Sequence, residues 1–120
     1  MKGILILAHG SREKSTEKTL QEVVDMIKVR VANCVVETAY LQFSDVNLEA
    51  GLDKLAAQGI KEIKVMPYFL FDGVHIREDI PAELNEYLKD NPDMKISMGK
   101  TLGAHHKLAE IMVERINEAI

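Results

Sequence analysis

The sequence predicts an α/β fold: one four-stranded parallel sheet in the order 2-1-3-4 with helices on both faces. Two observations carry that prediction. Apolar runs of strand length alternate with longer segments of helical period, giving βαβαβαβα across residues 1–120, and no linker, low-complexity stretch or internal repeat interrupts the alternation. Nor does a cysteine framework stand in for a core, since Cys34 is the only cysteine.

Each element has its own signal. Residues 3–8, GILILA, form an uninterrupted apolar run of strand length that ends at His9-Gly10. Leu20, Val23, Val24, Ile27 and Val31 then recur at i, i+3, i+4, i+7 and i+11, which marks an amphipathic helix. A second strand over 34–41 is rich in β-branched residues, and Leu48, Leu52, Leu55 and Ala56 trace a second helix ended by Gly59. The third strand spans 60–70. Pro67 lacks an N–H for the ladder, so pairing is expected to stop near it and the chain to continue as a loop through FLFDGVHIRED. Pro81 suits the first turn of a third helix carrying Ile80, Leu84, Tyr87 and Leu88, which DNPD closes. A short fourth strand over 94–98 comes next. The last helix aligns Leu108, Ile111, Met112, Ile116 and Ala119 on one face.

Parallel strands need covering crossovers. In the order 2-1-3-4 the crossover direction reverses between the first and third strands, and ligands of such sheets bind outside the carboxyl ends of the strands at that reversal. His9 ends the first strand and His75 lies in the loop after the third, so both imidazoles can face one crevice. Imidazole suits borderline transition metals and, with an ordinary pKa near 6.5, proton transfer. Two histidines alone would make an open site, suited to handing a metal on. The same spacing also fits a backbone-bonded His9 and a solvated His75.

Composition narrows the function classes. The chain is 47% hydrophobic and 28% charged with a formal net charge of −4 and a pI near 5.5, and no basic block suggests nucleic acid. The apolar run after Met1 is too short for a secretion signal or a membrane span, and a lone Cys34, expected as a core thiol, fits a reducing compartment. The expected location is the cytoplasm, without membrane partners.

LAHGSR at the first strand end, PYFLFDGVHIREDIPAEL after the third and LGAHHKLAEIMVERI at the last helix resemble the short-form, CbiX-type sirohydrochlorin cobaltochelatases of cobalamin synthesis, over essentially the whole chain. The resemblance implies a class II chelatase that places a divalent metal into a tetrapyrrole without ATP: Co²⁺ foremost, with Ni²⁺ or Fe²⁺ as the alternatives that related enzymes use. It implies that His9 and His75 coordinate the incoming metal and accept the inner N–H protons of the ring. It also implies one chelatase-like lobe over 1–120, with a homodimer completing the cleft.

One departure stands out. Relatives commonly end the second strand in a pattern such as FLEF, whose Glu joins the histidines at the metal, whereas this chain reads YLQFSDVNL with Gln42. An amide oxygen can ligate but carries no charge and is no base. Asp72, Glu78 and Asp79 are carboxylates close enough in sequence to compensate, although Glu78 and Asp79 also suit a helix start. Sirohydrochlorin is a polycarboxylate. Ser11 and Arg12 at a strand-to-helix turn, with Arg77 and Lys14, are candidates to hold its carboxylates; Gly10 and Gly73 can let the ring approach closely or only serve turns, and Val74 is a further candidate for substrate binding. Tyr68, Phe69 and Phe71 can wall a macrocycle or fill the core. His105 fits a cap at the last helix, and His106 takes the place of a proline common in relatives. A non-catalytic metal or tetrapyrrole carrier that lost turnover with the Glu-to-Gln change is the competing reading.

Overall fold

A computed structural model describes residues 1–120 as a parallel sheet in the order β2-β1-β3-β4, as the crossover pattern predicts. Its strands are β1 (Lys2–Ala8), β2 (Cys34–Tyr40), β3 (Glu62–Pro67) and β4 (Lys95–Met98); its helices are α1 (Ser15–Lys28), α2 (Leu48–Ala56), α3 (Ile80–Asp90) and α4 (His106–Ala119). Central β1 pairs with β2 from Lys2↔Cys34 to Ala8↔Tyr40 and with β3 from Gly3↔Ile63 to Leu7↔Pro67. Pro67 therefore closes β3, at the position its missing N–H predicts.

Because β1 is covered on both faces, its apolar run is continuous rather than alternating. Leu20 and Val24 of α1 pack on Ile6, Val36 and Tyr40. On the opposite face Leu48, Leu52 and Leu55 of α2 and Ile80 and Leu84 of α3 pack on Leu5, Leu7, Ala39, Ile63 and Val65. Gly51 lets α2 approach closely, since a Cβ there would sit 2.9 Å from the Ala39 Cβ and 2.8 Å from a Leu5 methyl. Asn47 caps α2 by accepting from the Ala50 N–H at 2.9 Å, and Gly59, at φ +82°, turns the chain out of it. Tyr87 on α3 donates its O–H to Asp53 on α2 at 2.7 Å. Burial, together with that carboxylate, pushes the Tyr87 phenol well above its ordinary range.

Three details depart from the sequence reading. The segment that carries His75 is not loop throughout: His75–Asp79 form a wide, π-type turn that runs directly into α3. Cys34 is half-buried at the start of β2 rather than enclosed in the core. Helix α4 forms where its apolar spacing places it but buries none of its residues, and 109–120 are exposed throughout. The radius of gyration reflects this, at 15.3 Å against about 13.6 Å for a compact chain of this length. On the α1 side of the sheet Lys95 and Ser97 of β4 remain exposed, with Lys64 and Met66 of β3 half-buried beside them. No helix is long and apolar enough to cross a membrane.

Replacing Tyr87 by Phe removes the one side-chain hydrogen bond between α2 and α3, and is expected to lower stability by about 0.5–1.5 kcal/mol, read as a lower urea midpoint at unchanged slope.

Candidate functional site

The carboxyl ends of β1 and β3 bring the two histidines together. Pairing continues past the formal ends of the strands: Leu41 N–H donates to the Ala8 carbonyl at 2.9 Å, Gln42 N–H to the His9 carbonyl at 3.0 Å, and Tyr68 N–H to the Leu7 carbonyl at 2.8 Å. The His9 backbone is thus an extension of the sheet. Gly10 then turns away at φ +86°, and a Cβ there would lie 2.0 Å from the Gln42 carbonyl oxygen, so glycine is required by space as well as by conformation.

The His9 ring stacks on Phe69, with 4.2 Å between centroids and 23° between planes. Phe69 is buried, and its carbonyl accepts from Leu102 N–H at 2.9 Å, which ties the loop after β4 to the same corner. His75, at the head of the π-type turn, meets His9 edge-on with ring centroids 6.4 Å apart. Its Nδ1 lies 2.9 Å from an Asp79 oxygen. Both imidazoles are open to solvent.

The remaining expected residues divide. Gln42 is exposed, and its side chain makes no hydrogen bond within the chain; its backbone is what holds His9. Arg12 lies over the Phe43 ring at 4.9 Å to the centroid, and Phe43 itself takes the left-handed conformation at φ +60°. None of the six ion pairs uses Arg12 or Arg77, so both guanidinium groups lack a carboxylate within the chain. Lys14, by contrast, pairs with Glu17 and reaches the Phe43 carbonyl. Ser11 is spent locally, accepting from Glu13 N–H at 3.1 Å. Gly73 has open space where a Cβ would be, which leaves it no steric requirement; its carbonyl accepts from Arg77 N–H, and Val74 beside it is exposed.

Asp72 accepts from the Thr101 hydroxyl at 2.9 Å and is engaged there. His105 caps α4 by accepting from Lys107 N–H at its Nδ1 and stacks on His106. Of the three aromatics, Phe69 goes to the core while Tyr68 and Phe71 face solvent, and Phe43, Leu70, Phe71, Val74 and Leu102 leave apolar surface exposed on the loops at this end of the sheet. No group of three or more His, Cys, Asp or Glu side chains is gathered for a metal. A groove of about 650 Å³ between α2 and α3 is elsewhere and is lined by Glu49, Asp53, Glu83, Glu86 and Asp90, the wrong sign for a polyanion.

Sequence reasoning missed two partners here. The Phe69 stack carries no local signal, because the residues that form it are far apart in the chain. The His75–Asp79 pair was legible as an i, i+4 spacing in HIRED.

The CbiX family profile matches residues 3–119. The sirohydrochlorin cobaltochelatase of Methanosarcina acetivorans is 30% identical over 98% of this chain and 96% of its own length. The chloroplastic sirohydrochlorin ferrochelatase of Arabidopsis thaliana is also 30% identical, and there this chain spans 52% of the relative. Among solved structures, the sirohydrochlorin chelatase SirB of Bacillus subtilis subspecies spizizenii, in complex with cobalt, superposes with a TM-score of 0.90 at 27% identity over 98% of this chain and 50% of SirB. The family profile and full-length relatives match nearly every residue, and the chain belongs to the CbiX family.

Proposed function

We propose that the protein inserts a divalent metal into a sirohydrochlorin-type tetrapyrrole, Co²⁺ foremost and Ni²⁺ or Fe²⁺ as alternatives, without ATP. The observation that carries this reading is the meeting of His9 and His75 at 6.4 Å on a solvent-open corner. Metal–nitrogen bonds of about 2.0–2.1 Å let one ion lie between two such rings. With only two strong protein ligands, the ion keeps exchangeable positions for the pyrrole nitrogens that must replace them. Imidazoles have the basicity to take the inner N–H protons near neutral pH. Arg12 and Arg77, free of internal carboxylates, suit the peripheral carboxylates of the ring, while Phe43, Phe71 and Val74 offer apolar surface to its face. Arg12 would exchange a cation–π contact for a charge-assisted hydrogen bond, a favourable trade once the carboxylate is partly desolvated. Cytoplasmic work suits the free Cys34.

The reading includes a second copy of the chain. The apolar face of α4 leaves Ile111, Met112 and Ile116 exposed and Leu108 only half-buried, and the α1 side of β3 and β4 lacks a covering helix. A CbiX homodimer in which α4 packs on the partner would cover both. Glu110, Glu114 and Glu118, spaced along α4, would then bring negative charge to the side of the sheet that carries Lys64 and Lys95. Two lobes supply two walls for a flat macrocycle.

His9→Ala and His75→Ala are each expected to lower the initial rate of Co²⁺ insertion into sirohydrochlorin by about 100-fold or more, while unfolding free energies from urea titration stay within about 0.5 kcal/mol, because both rings are exposed. Wild-type-like rates would discard the assignment. A wild-type protein that binds Co²⁺ but never exceeds the spontaneous rate would instead favour the carrier reading, for which Gln42 in place of Glu is the specific motive.

Light scattering at micromolar concentration is expected to report a dimer, and Ile111→Asp with Ile116→Asp a monomer with an intact sheet. A monomeric wild type would remove the second copy from the reading.

Gln42→Glu is expected to tighten Co²⁺ binding by roughly tenfold. A unit charge pair at about 4 Å contributes about 4 kcal/mol at an effective dielectric of 20, and the exposure of residue 42 screens most of that. Calorimetric titration, with His9→Ala as control, measures it, and unchanged affinity would place residue 42 outside the metal's reach.

A further inference from the structure

His9 and His75 are held by different means, and the difference has chemical consequences. His9 is fixed by a ring stack on buried Phe69, and its ring nitrogens have no hydrogen-bond partner within the chain. His75 is fixed by a carboxylate: its Nδ1 lies 2.9 Å from Asp79 Oδ2. Asp79 has no other side-chain partner. It flanks α3 yet makes no side-chain cap, and Pro81 in the first turn already favours the helix start. The two residues are joined by the π-type turn in which Ile80 N–H donates to the His75 carbonyl, so the backbone itself brings positions 75 and 79 onto one side.

The pair contributes little to stability. Both side chains are more than half exposed, at 60% and 53%, and solvent screens such surface ion pairs to little net stabilisation. Its effect is on which nitrogen carries the proton. A carboxylate oxygen 2.9 Å from Nδ1 repels a bare nitrogen lone pair and attracts an N–H, and in the neutral ring a hydrogen on Nδ1 leaves Nε2 with a free lone pair.

We infer that Asp79 is a positioning residue that holds neutral His75 as the Nδ1–H tautomer, so that Nε2 is the nitrogen offered to a divalent cation. The role this gives His75 rests on the proposed chelatase function, but the tautomer itself does not. Carboxylate–histidine pairs of this kind commonly alter metal affinity by about 10–100-fold when the carboxylate is removed. His9, without such a partner, is free to exchange tautomers, and the two imidazoles are therefore unequal.

Long-range ¹H–¹⁵N correlation spectra of the metal-free protein at about pH 8, above the ordinary imidazole range, report the tautomer directly. Wild type is expected to show His75 protonated at Nδ1, Asp79→Ala to lose that preference, and Asp79→Glu to recover it at least in part. Calorimetric Co²⁺ titration of the same proteins is expected to show about 10–100-fold weaker binding for Asp79→Ala and partial rescue by Asp79→Glu. A wild-type His75 protonated at Nε2, or an Asp79→Ala protein with unchanged tautomer and unchanged Co²⁺ affinity, would overturn the inference. The expected spectra from a protein that fails to metallate sirohydrochlorin would leave the pair standing and sink the chelatase reading instead.

Discussion

The two-sided pairing of β1 is the interaction on which the rest depends. β1 is bonded to β2 and β3 along nearly its whole length, and that bonding extends through Gln42 to the carbonyl of His9. A backbone paired on both sides cannot shift by one residue without turning its side chains to the opposite face. His9 therefore inherits the rigidity of the most buried part of the molecule while its ring stays in solvent. Gly10 completes the device, because the chain must leave the sheet where a β-carbon would collide with the carbonyl of Gln42.

The neighbouring strand end supplies the contrast. Pro67 ends β3, and the chain then spends two aromatic residues in opposite ways, Tyr68 outward and Phe69 into the core under His9. The stretch from Leu70 to Val74 exposes Leu70, Phe71 and Val74 where the sheet meets solvent, and it is anchored at its edges by the Thr101–Asp72 hydrogen bond and by the backbone of Leu102 and Gly103. A rim of this kind, on loops held by a rigid sheet, is suited to a broad flat ligand rather than to a small one enclosed on all sides.

Electrostatics sorts the surface. On the proposed function, an acidic chain must receive a polyanion and so must keep its carboxylates away from the point of contact. Here five carboxylates line the groove between α2 and α3, while the arginines beside the histidines are unpaired. Asp79, four residues after His75 in the chain, is turned to that imidazole instead of standing free.

The sequence by itself determined the fold class, the strand order and the residues at the two strand ends, because alternating apolar periods admit few parallel topologies and the ends of β1 and β3 are marked by His9-Gly10 and Pro67. It also singled out the cap at His105 and the early end of pairing in β3. The tertiary structure alone decided which aromatic lies under His9, that Arg12 rests on Phe43 while Lys14 is engaged elsewhere, that Asp72 belongs to the Thr101 contact, and that α4 is left unpacked on its own sheet. The physical reason is range. Strands, helices and their ends arise from hydrogen bonding and burial among neighbours in the chain, whereas a ring stack, a cation–π contact or a missing helix partner depends on how side chains from separate elements share space once the sheet has formed.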